Sequence, residues 1–349
     1  MPPLYDLSRR RFASSMALAG SVLALPGLHA QPKIEKPKLI LAVDSKSALA
    51  YLPLTIAVQL DFFKSEGLDV QVNDFPDAAS ASMAVVNGMA DICSGAFERT
   101  LYLQSKSQMF QAFVLQSRTP QVALGVSTRN LPGYKRIADL RGKKVGVAAL
   151  DSMASVMTHL YLMRGGLNAA DVSFVQVTSW ANALAALRSG QIDALCNTDP
   201  VMTMMEQKGE VKIIQDARTL KGTSDLFGGV MPSACLYAAS DFVQKNPNTC
   251  QALAHAMVHS LKWLQTAGPG DIIKTVPESY LLGDRALYLA SFNKIRESIS
   301  PDGMIPDEGP STAWTALGHY DAALRLTKVD VSRTYTNEFA RRAKLRFRA

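Results

Sequence analysis

Cysteine and histidine are the residues here with the most direct chemical potential, and their spacing limits what they can do. Cys93 and Cys196 each fall at the end of a predicted strand, where α/β proteins often place reactive groups. Each is interpreted either as a nucleophilic thiol or as a small buried core residue. His255 and His259 stand four apart on a predicted helix, a spacing that suits zinc, but they lack the glutamate of H-E-x-x-H. We therefore predict packed or surface histidines and no metal site.

Motifs of the common nucleotide-dependent and hydrolytic enzymes are absent from the sequence. No G-x-x-x-x-G-K-[ST] loop occurs, because residues 142–144 (GKK) lack the upstream glycine and the hydroxyl that would hold magnesium. No G-x-G-x-x-G motif follows a predicted strand, and no G-x-S-x-G nucleophile elbow is present. We therefore predict no cofactor and no enzymatic activity.

Strand and helix patterns alternate along most of the chain, which indicates βαβ units and mostly parallel sheets. After residues 228–229 only one more strand is predicted, and the rest is helical. The predicted strands are residues 39–43, 68–75, 91–94, 110–116, 121–128, 144–150, 172–177, 192–196, 211–215 and 234–238. The predicted helices are residues 51–63, 79–87, 97–104, 152–164, 180–189, 200–208, 247–266, 271–276, 285–298, 311–328 and 332–344.

Polar and aromatic residues follow several of these strands. Ligands of open α/β sheets bind beyond the carboxyl ends of the strands, where helix N-termini present unpaired N–H groups that suit an anion. These positions predict a ligand site made of Ser45, Ser47, Phe75, Asp77, Ala78, Ser80, Ser94, Gly95, Asp151, Ser152, Met153, Ala154, Trp180, Asn197, Thr198 and Asp199.

Several of these candidates have a second interpretation. The hydroxyls of Ser47 and Ser152 suit helix N-caps as well as ligand contacts. Trp180 could stack on an aromatic ligand or pack at a helix start, and Tyr51 could line the cleft or hold its own helix. Asp77 and Asp151 argue against a purely anionic pocket unless they point away from it.

Composition indicates a globular protein of more than one domain. The 349 residues are 48% hydrophobic and 19% charged, which excludes disorder. The formal net charge of +7 is spread thinly along the chain, whereas nucleic-acid binding usually shows a concentrated basic stripe. Four scattered cysteines do not make a disulfide scaffold, and Cys235 with Cys250 is the pair that we would test.

The first thirty residues predict an export signal. The arginines at 9–11 precede a short apolar run, residues 12–25, and the segment ends in small residues before a cleavage position near Ala30. The order S-R-R-x-F resembles a twin-arginine signal, although Ala13 and Ser14 stand where leucine and lysine are common. We therefore expect a mature protein in the periplasm.

Six segments, taken in order, resemble the periplasmic substrate-binding proteins of ABC importers. The branch is the one that handles nitrate, sulfonates, taurine, thiamine-pyrimidine precursors and aromatic acids. Each segment alone is a weak indicator of this family, but all six in the family's order behind an export signal are a strong one. They are YLPL at 51–54, DFFKSEGLDV at 61–70, NGMADI at 87–92, DLRGKKVGV at 139–147, ALRSGQIDA at 186–194 and DP at 199–200.

The resemblance implies a two-lobe α/β periplasmic binding protein fold of type II, each lobe a mostly parallel sheet flanked by helices. The first lobe would comprise residues 36–122 and 228–349, and the second residues 123–227. Crossovers near residues 116–121 and 228–233 would act as the hinge. The expected partners are a small-molecule ligand, an ABC permease and a separate ATPase subunit, with the binding protein itself a monomer.

The implied function is capture of a small organic solute, expected to be an anion such as a sulfonate or an aromatic carboxylate. Arg118, in the presumed crossover, is the candidate for pairing with that anion, and a surface arginine is its other interpretation. The alternative is an enzyme on the same fold, similar to a desulfinase or a pyrimidine synthase, that uses a cysteine nucleophile. A ligand-sensing partner of a membrane receptor shares the fold and stays open.

Overall fold

The structure, a computed structural model, describes residues 33–177 and 179–349, with the backbone alone for Trp180. The predicted export signal at residues 1–30 lies outside the described residues. Residues 34–349 form one compact unit. None of its helices combines the length and the apolar character needed to cross a membrane.

Ten strands and fourteen α-helices make up the described chain. The strands are β1 Lys38–Asp44, β2 Asp69–Phe75, β3 Ile92–Ala96, β4 Phe110–Leu115, β5 Val122–Ser127, β6 Lys144–Val147, β7 Ser173–Gln176, β8 Ala194–Thr198, β9 Val211–Asp216 and β10 Ala234–Ala239. The helices are α1 Leu52–Gln59, α2 Phe62–Ser65, α3 Ala78–Val86, α4 Glu98–Ser105, α5 Met153–Arg164, α6 Trp180–Arg188, α7 Val201–Gln207, α8 Leu220–Phe227, α9 Ser240–Lys245, α10 Pro247–Thr266, α11 Pro269–Thr275, α12 Arg285–Ile295, α13 Gly309–Tyr320 and α14 Glu338–Phe347.

The strands form two five-stranded sheets of matching topology. The first has the order β2-β1-β3-β10-β4 and the second the order β7-β6-β8-β5-β9. In each sheet one strand, β10 or β5, is antiparallel to both of its neighbours, and the other recorded pairings are parallel. The prediction of mostly parallel sheets is confirmed.

The antiparallel strand of each sheet is the one that the chain enters from the other sheet. Residues 116–121 lead from β4 into β5, and residues 217–233 lead from β9 through α8 into β10. Strands β1–β4 and β10 fall inside the ranges predicted for the first lobe, and β5–β9 lie in the second apart from the first residue of β5. The lobe boundaries and the hinge action remain predictions.

Successive side chains of β10 point to opposite faces of the first sheet and pack in two different hydrophobic clusters. Leu236 packs in the cluster that includes α10, whereas Cys235 and Tyr237 pack in the cluster that includes α3 and α4. Cys250 lies on α10, in the first of these clusters. The suggested pairing of Cys235 with Cys250 is therefore wrong, and both are free and buried thiols.

Two predicted helices are interrupted where the backbone leaves helical geometry. The helix predicted for residues 51–63 divides into α1 and α2 because Asp61 adopts a left-handed conformation with φ 55°. The helix predicted for residues 311–328 ends at Tyr320, because Asp321 is extended and the Arg325 side chain donates back to the carbonyl of Gly318.

The last helix starts later than predicted, and two short helices were not predicted. Helix α14 begins at Glu338 rather than residue 332, because the backbone of Tyr335 forms a bridge with Ala112 of β4. Helix α8 contains Gly222 and Thr223, both weak helix formers, although Thr219 caps it by accepting from the Gly222 N–H. Helix α9 was also not predicted from the sequence.

Candidate functional site

A cavity of about 530 Å³ lies where strands of both sheets end. Asp44 and Ala96 are the last residues of β1 and β3 in the first sheet, and Thr198 is the last residue of β8 in the second. The two chain crossings also reach the cavity, through Pro120 and Ser233. The topology thus brings the carboxyl ends of strands from both sheets to one cavity, as expected for a ligand site of an α/β protein.

Most of the residues predicted for the ligand site line this cavity. The segments that follow β1, β6 and β8 all contribute. The predicted residues that line it are Ser45, Ser47, Tyr51, Ala78, Asp151, Ser152, Met153, Ala154, Asn197, Thr198 and Asp199.

The remaining candidates after β2 and β3 do not line the cavity and make other contacts. Asp77 caps α3, because its Oδ1 accepts from the Ser80 N–H at 2.6 Å, and that bond lowers the pKa of Asp77. Phe75 packs against the hydrophobic cluster of α3 and α4. The Ser94 hydroxyl is fully buried and accepts from Gln116. Gly95 lies under Tyr237, whose ring carbon would be 3.0 Å from an added Cβ.

Two further predictions have different outcomes. Arg118 does not line the cavity, and its Nη2 donates to the backbone carbonyl of Glu297 at 2.7 Å. The side chain of Trp180 lies outside the described residues, so its stacking role stays a prediction.

Tyr51 and Asp44 form a hydrogen-bonded pair at the edge of the first sheet. The Tyr51 hydroxyl donates to Asp44 Oδ1 at 2.7 Å, and both residues line the cavity. Burial raises the pKa of Asp44 to about 6, and the bond from Tyr51 opposes that rise. Asp44 was not among the predicted site residues, although it directly follows the predicted strand at residues 39–43 and could have been found by the same rule.

Arg99 is a cavity-lining cation that sequence reasoning missed. Its Nη2 donates to Asp151 Oδ2 at 3.1 Å and to the Asp151 carbonyl at 3.4 Å, so the pair joins α4 to the segment before α5. The Arg99 side chain is 14% exposed, against 61% for Asp151. Its position in the first turn of the helix after β3 was the available signal, but the prediction stopped at Gly95.

Glu98 precedes Arg99 and was missed for the same reason. The residue is 8% exposed and lines the cavity. Its Oε2 is buried and has no hydrogen-bond partner among the described residues. Burial raises the pKa of Glu98 to about 7.

Asp199 belongs to a buried ion-pair network beside the cavity. Its Oδ1 accepts from the Thr203 N–H at 2.8 Å and lies 3.2 Å from Arg218 Nη1. The Arg218 side chain is fully buried and also binds Asp216, through Nη2 at 2.7 Å. Arg218 therefore balances the charge of Asp199, which leaves Asp44, Glu98, Asp151 and Arg99 as the other charged residues of the cavity wall.

The histidines and cysteines singled out in the sequence lie away from this wall. His255 Nδ1 lies 3.1 Å from Glu66 Oε2, and His259 stacks on Phe62 with ring centroids 3.8 Å apart. Cys93 and Cys196 are buried, and burial raises the pKa of each thiol to about 12. Neither thiol lines the cavity.

A second recess, of about 320 Å³, lies among α5, α8 and α13. Its lining is mostly apolar, and its arginine, Arg164, donates to the Leu226 carbonyl. The convergent polar groups expected of a specific ligand site are therefore found in the larger cavity.

The chain is similar in sequence to a known protein family and to individual known proteins over most of its length. Residues 35–275 match the model of the NMT1-like family. The Bacillus subtilis (strain 168) protein YtlA, named as a candidate binding protein, is 20% identical over 298 residues, which are 84% of this chain and 86% of YtlA. A protein of Bordetella bronchiseptica RB50 with a solved structure is 51% identical, with a TM-score of 0.83, over 91% of this chain and 100% of that one.

More distant solved structures share the fold. The alkanesulfonate-binding protein SsuA from Xanthomonas axonopodis pv. citri, bound to MOPS, is 18% identical with a TM-score of 0.68, over 87% of this chain and 100% of that one. A DSZB mutant in complex with biphenyl-2-sulfinic acid is 16% identical with a TM-score of 0.61, over 89% and 99%. The architecture is thus the predicted two-domain periplasmic binding protein fold.

The family assignment rests on the matched segment, which spans well over half of the sequence and includes both chain crossings and the cavity-lining strand ends. The chain therefore belongs to the NMT1-like family.

Proposed function

We propose that this protein is the solute-binding component of an ABC importer and captures a small organic anion in the 530 Å³ cavity. The observation that carries the proposal is the convergence of strand ends from both sheets on one cavity lined by serine residues and the half-buried Arg99. Membership of the NMT1-like family and the likeness to named binding proteins support it.

Arg99 is the group that we propose binds the anion. A guanidinium carries five N–H donors, and the contacts of Arg99 within the described residues all go from Nη2 to Asp151. The three donors on Nε and Nη1 therefore stay available for a carboxylate or sulfonate. The carboxylate of Asp151 is largely exposed, so solvent screens its competition for Arg99.

The N-terminus of α5 supplies a second favourable feature. Ser152, Met153 and Ala154 line the cavity at the start of this twelve-residue helix. The Ser152 hydroxyl donates to the Ala149 carbonyl instead of capping the helix, which leaves first-turn N–H groups of α5 for a ligand.

The proposal includes the cellular setting predicted from the sequence. The chain would be exported, cleaved near Ala30, and active as a monomer in the periplasm. It would deliver its ligand to a permease that works with a separate ATPase subunit.

Arg99 and Arg118 provide a direct test of the proposed site. Isothermal titration calorimetry would screen the mature protein against sulfonates, aromatic carboxylates, nitrate and pyrimidines. For the tightest binder, Arg99→Gln should weaken affinity about 10- to 100-fold, since a charge-assisted hydrogen bond contributes roughly 1.5–3 kcal/mol. Arg118→Gln should change it less than about threefold.

Equal losses in the two variants would contradict the assignment of Arg99. Silence across the panel would contradict the proposed function. Uptake of the tightest-binding compound, measured in cells with and without this protein, would separate transport from a sensing role.

An enzyme on the same fold is the second candidate, and the likeness to the DSZB complex with a sulfinic acid favours it. Thiolate catalysis by Cys93 or Cys196 conflicts with their burial and with the rise of each thiol pKa to about 12. Product formation from a bound compound that is lost in Cys93→Ser or Cys196→Ser would establish the enzyme instead.

A further inference from the structure

Leu282 is an exposed apolar residue of the cavity wall with an unfavourable backbone conformation. It is 49% exposed, and of the large hydrophobic residues exposed in the described chain it is the one that lines the 530 Å³ cavity. Its φ is 52°, in the left-handed region that a leucine rarely occupies. Strain of this kind persists only where the surrounding structure holds it, and it is concentrated at functional sites.

The residues on either side hold Leu282 in place. Leu281 is buried in the cluster that includes α10. Gly283 completes a left-handed turn with φ 72°, and Asp284 caps α12 by accepting from the Leu287 N–H at 2.8 Å. Leu282 is therefore a fixed projection between two anchored residues and not the tip of a free loop.

The segment around Leu282 connects the cores of the two sheets. Leu281 packs with the first-sheet cluster, whereas Leu287 packs in the cluster that includes Met205 of α7, on the second-sheet side. Leu282 lies between these two anchors in the chain. The cavity also has apolar lining from the second-sheet side, at Val177 and Val201. A solute with its charged group at Arg99 could thus place an apolar body between Leu282 and that lining.

We propose that Leu282 is a specificity-determining residue that covers the apolar body of the bound solute. The contact would remove exposed leucine surface from water, which would offset the strain of its left-handed backbone. This inference rests on the proposed function and adds the residue that selects for the size of the apolar body.

Homologous series of anions test this inference, because each series varies only the apolar body. The probes are alkane-1-sulfonates from methane to hexane, alkanoates from acetate to heptanoate, and benzoate with its 4-methyl, 4-ethyl and 4-propyl derivatives. Calorimetry on the mature protein should show affinity rising about two- to fourfold per methylene in at least one series, up to the length that the cavity holds.

Leu282→Asn should flatten that rise and weaken the tightest-binding member about 5- to 20-fold. Asparagine tolerates the left-handed region, so the substitution removes the apolar contact and keeps the backbone. Binding of the shortest member should change less than about threefold, since it does not reach Leu282. Leu282→Gly also accepts this backbone and should behave in the same way.

Leu326→Asn is the matched control. Leu326 is 88% exposed and does not line the cavity, so the rise with chain length should persist in this variant. Urea unfolding of each ligand-free variant would reveal a structural role. A lowered midpoint together with equal weakening of the short and long members would overturn the inference.

The remaining outcomes separate this inference from the proposed function. An unchanged rise in Leu282→Asn overturns the inference and leaves the proposed function in place. Unchanged affinity with loss of uptake would assign Leu282 to a contact with a partner protein and also overturns it. If only a panel compound outside the three series binds, the inference falls and capture of a solute remains. No binding by any compound contradicts the proposed function, and the inference falls with it.

Discussion

Two carboxyl residues of the cavity lining, Asp44 and Glu98, make the stability of the protein depend on pH. Asp44 and Glu98 have pKa values raised by burial to about 6 and about 7. Each group therefore binds protons more readily in the folded chain than in the unfolded one. Such groups favour folding below their unfolded pKa and lose that contribution as the pH rises through the folded pKa.

We expect the ligand-free protein to lose stability between about pH 4.5 and about pH 7 through Glu98. A pKa that rises from 4.5 to about 7 corresponds to roughly 3 kcal/mol at most. Urea unfolding at several pH values would measure this slope. Glu98→Gln should flatten it, whereas Glu210→Gln should keep it, and equal slopes in wild type and Glu98→Gln would contradict the burial of this carboxyl.

The strand-end rule found many of the site residues but missed the two at the start of α4. Thr198 ends β8, and Asp151 lies between the end of β6 at Val147 and the start of α5, so both positions follow from the order of elements. Glu98 and Arg99 reach the cavity only because α4 begins at residue 98 and turns its first residues toward it. A helix start that shifts by one residue rotates the side chains by about 100°, and the sequence does not specify it that closely.

Among the elements, α10 was predicted with its observed ends, because Pro247 begins it and its apolar face is long and regular. The end of α13 was predicted eight residues too late. Its boundary depends on the Arg325 side chain folding back onto Gly318, a tertiary contact that local periodicity does not encode.

Arg218 forms a buried ion pair with Asp199, which precedes α7, and a partly exposed one with Asp216 at the end of β9. We expect Arg218→Leu to destabilise the protein by about 3–5 kcal/mol, because Asp199 would stay buried without its counter-charge. Chemical denaturation would measure the loss. Arg188→Leu, which removes an exposed ion pair with Glu210, should cost less than about 1 kcal/mol; similar losses would contradict the special role of the buried network.

At the scale of the whole molecule, two partly exposed ion pairs join segments of the two predicted lobes. Arg99 pairs with Asp151, and Lys294 of α12 pairs with Glu206 of α7 at 2.7 Å. Exposed pairs of this kind contribute roughly 0–1 kcal/mol each. A ligand that touches both predicted lobes would add contacts between them.

We therefore expect ligand binding to compact the protein. Small-angle X-ray scattering of the mature chain should show a smaller radius of gyration with the tightest panel compound than without it. An unchanged scattering curve at saturation would show that the two sheets do not move relative to one another.

The position of β10 between β3 and β4 has a consequence for biosynthesis. While the ribosome has made only the residues before 234, β4 has no neighbour in its own sheet, although β5–β9 are already complete. The later sheet can thus form first, and the earlier one waits for a strand that arrives more than a hundred residues after β4. A nascent or truncated chain that stops short of β10 exposes two unpaired edges, which makes it a substrate for chaperones and proteases.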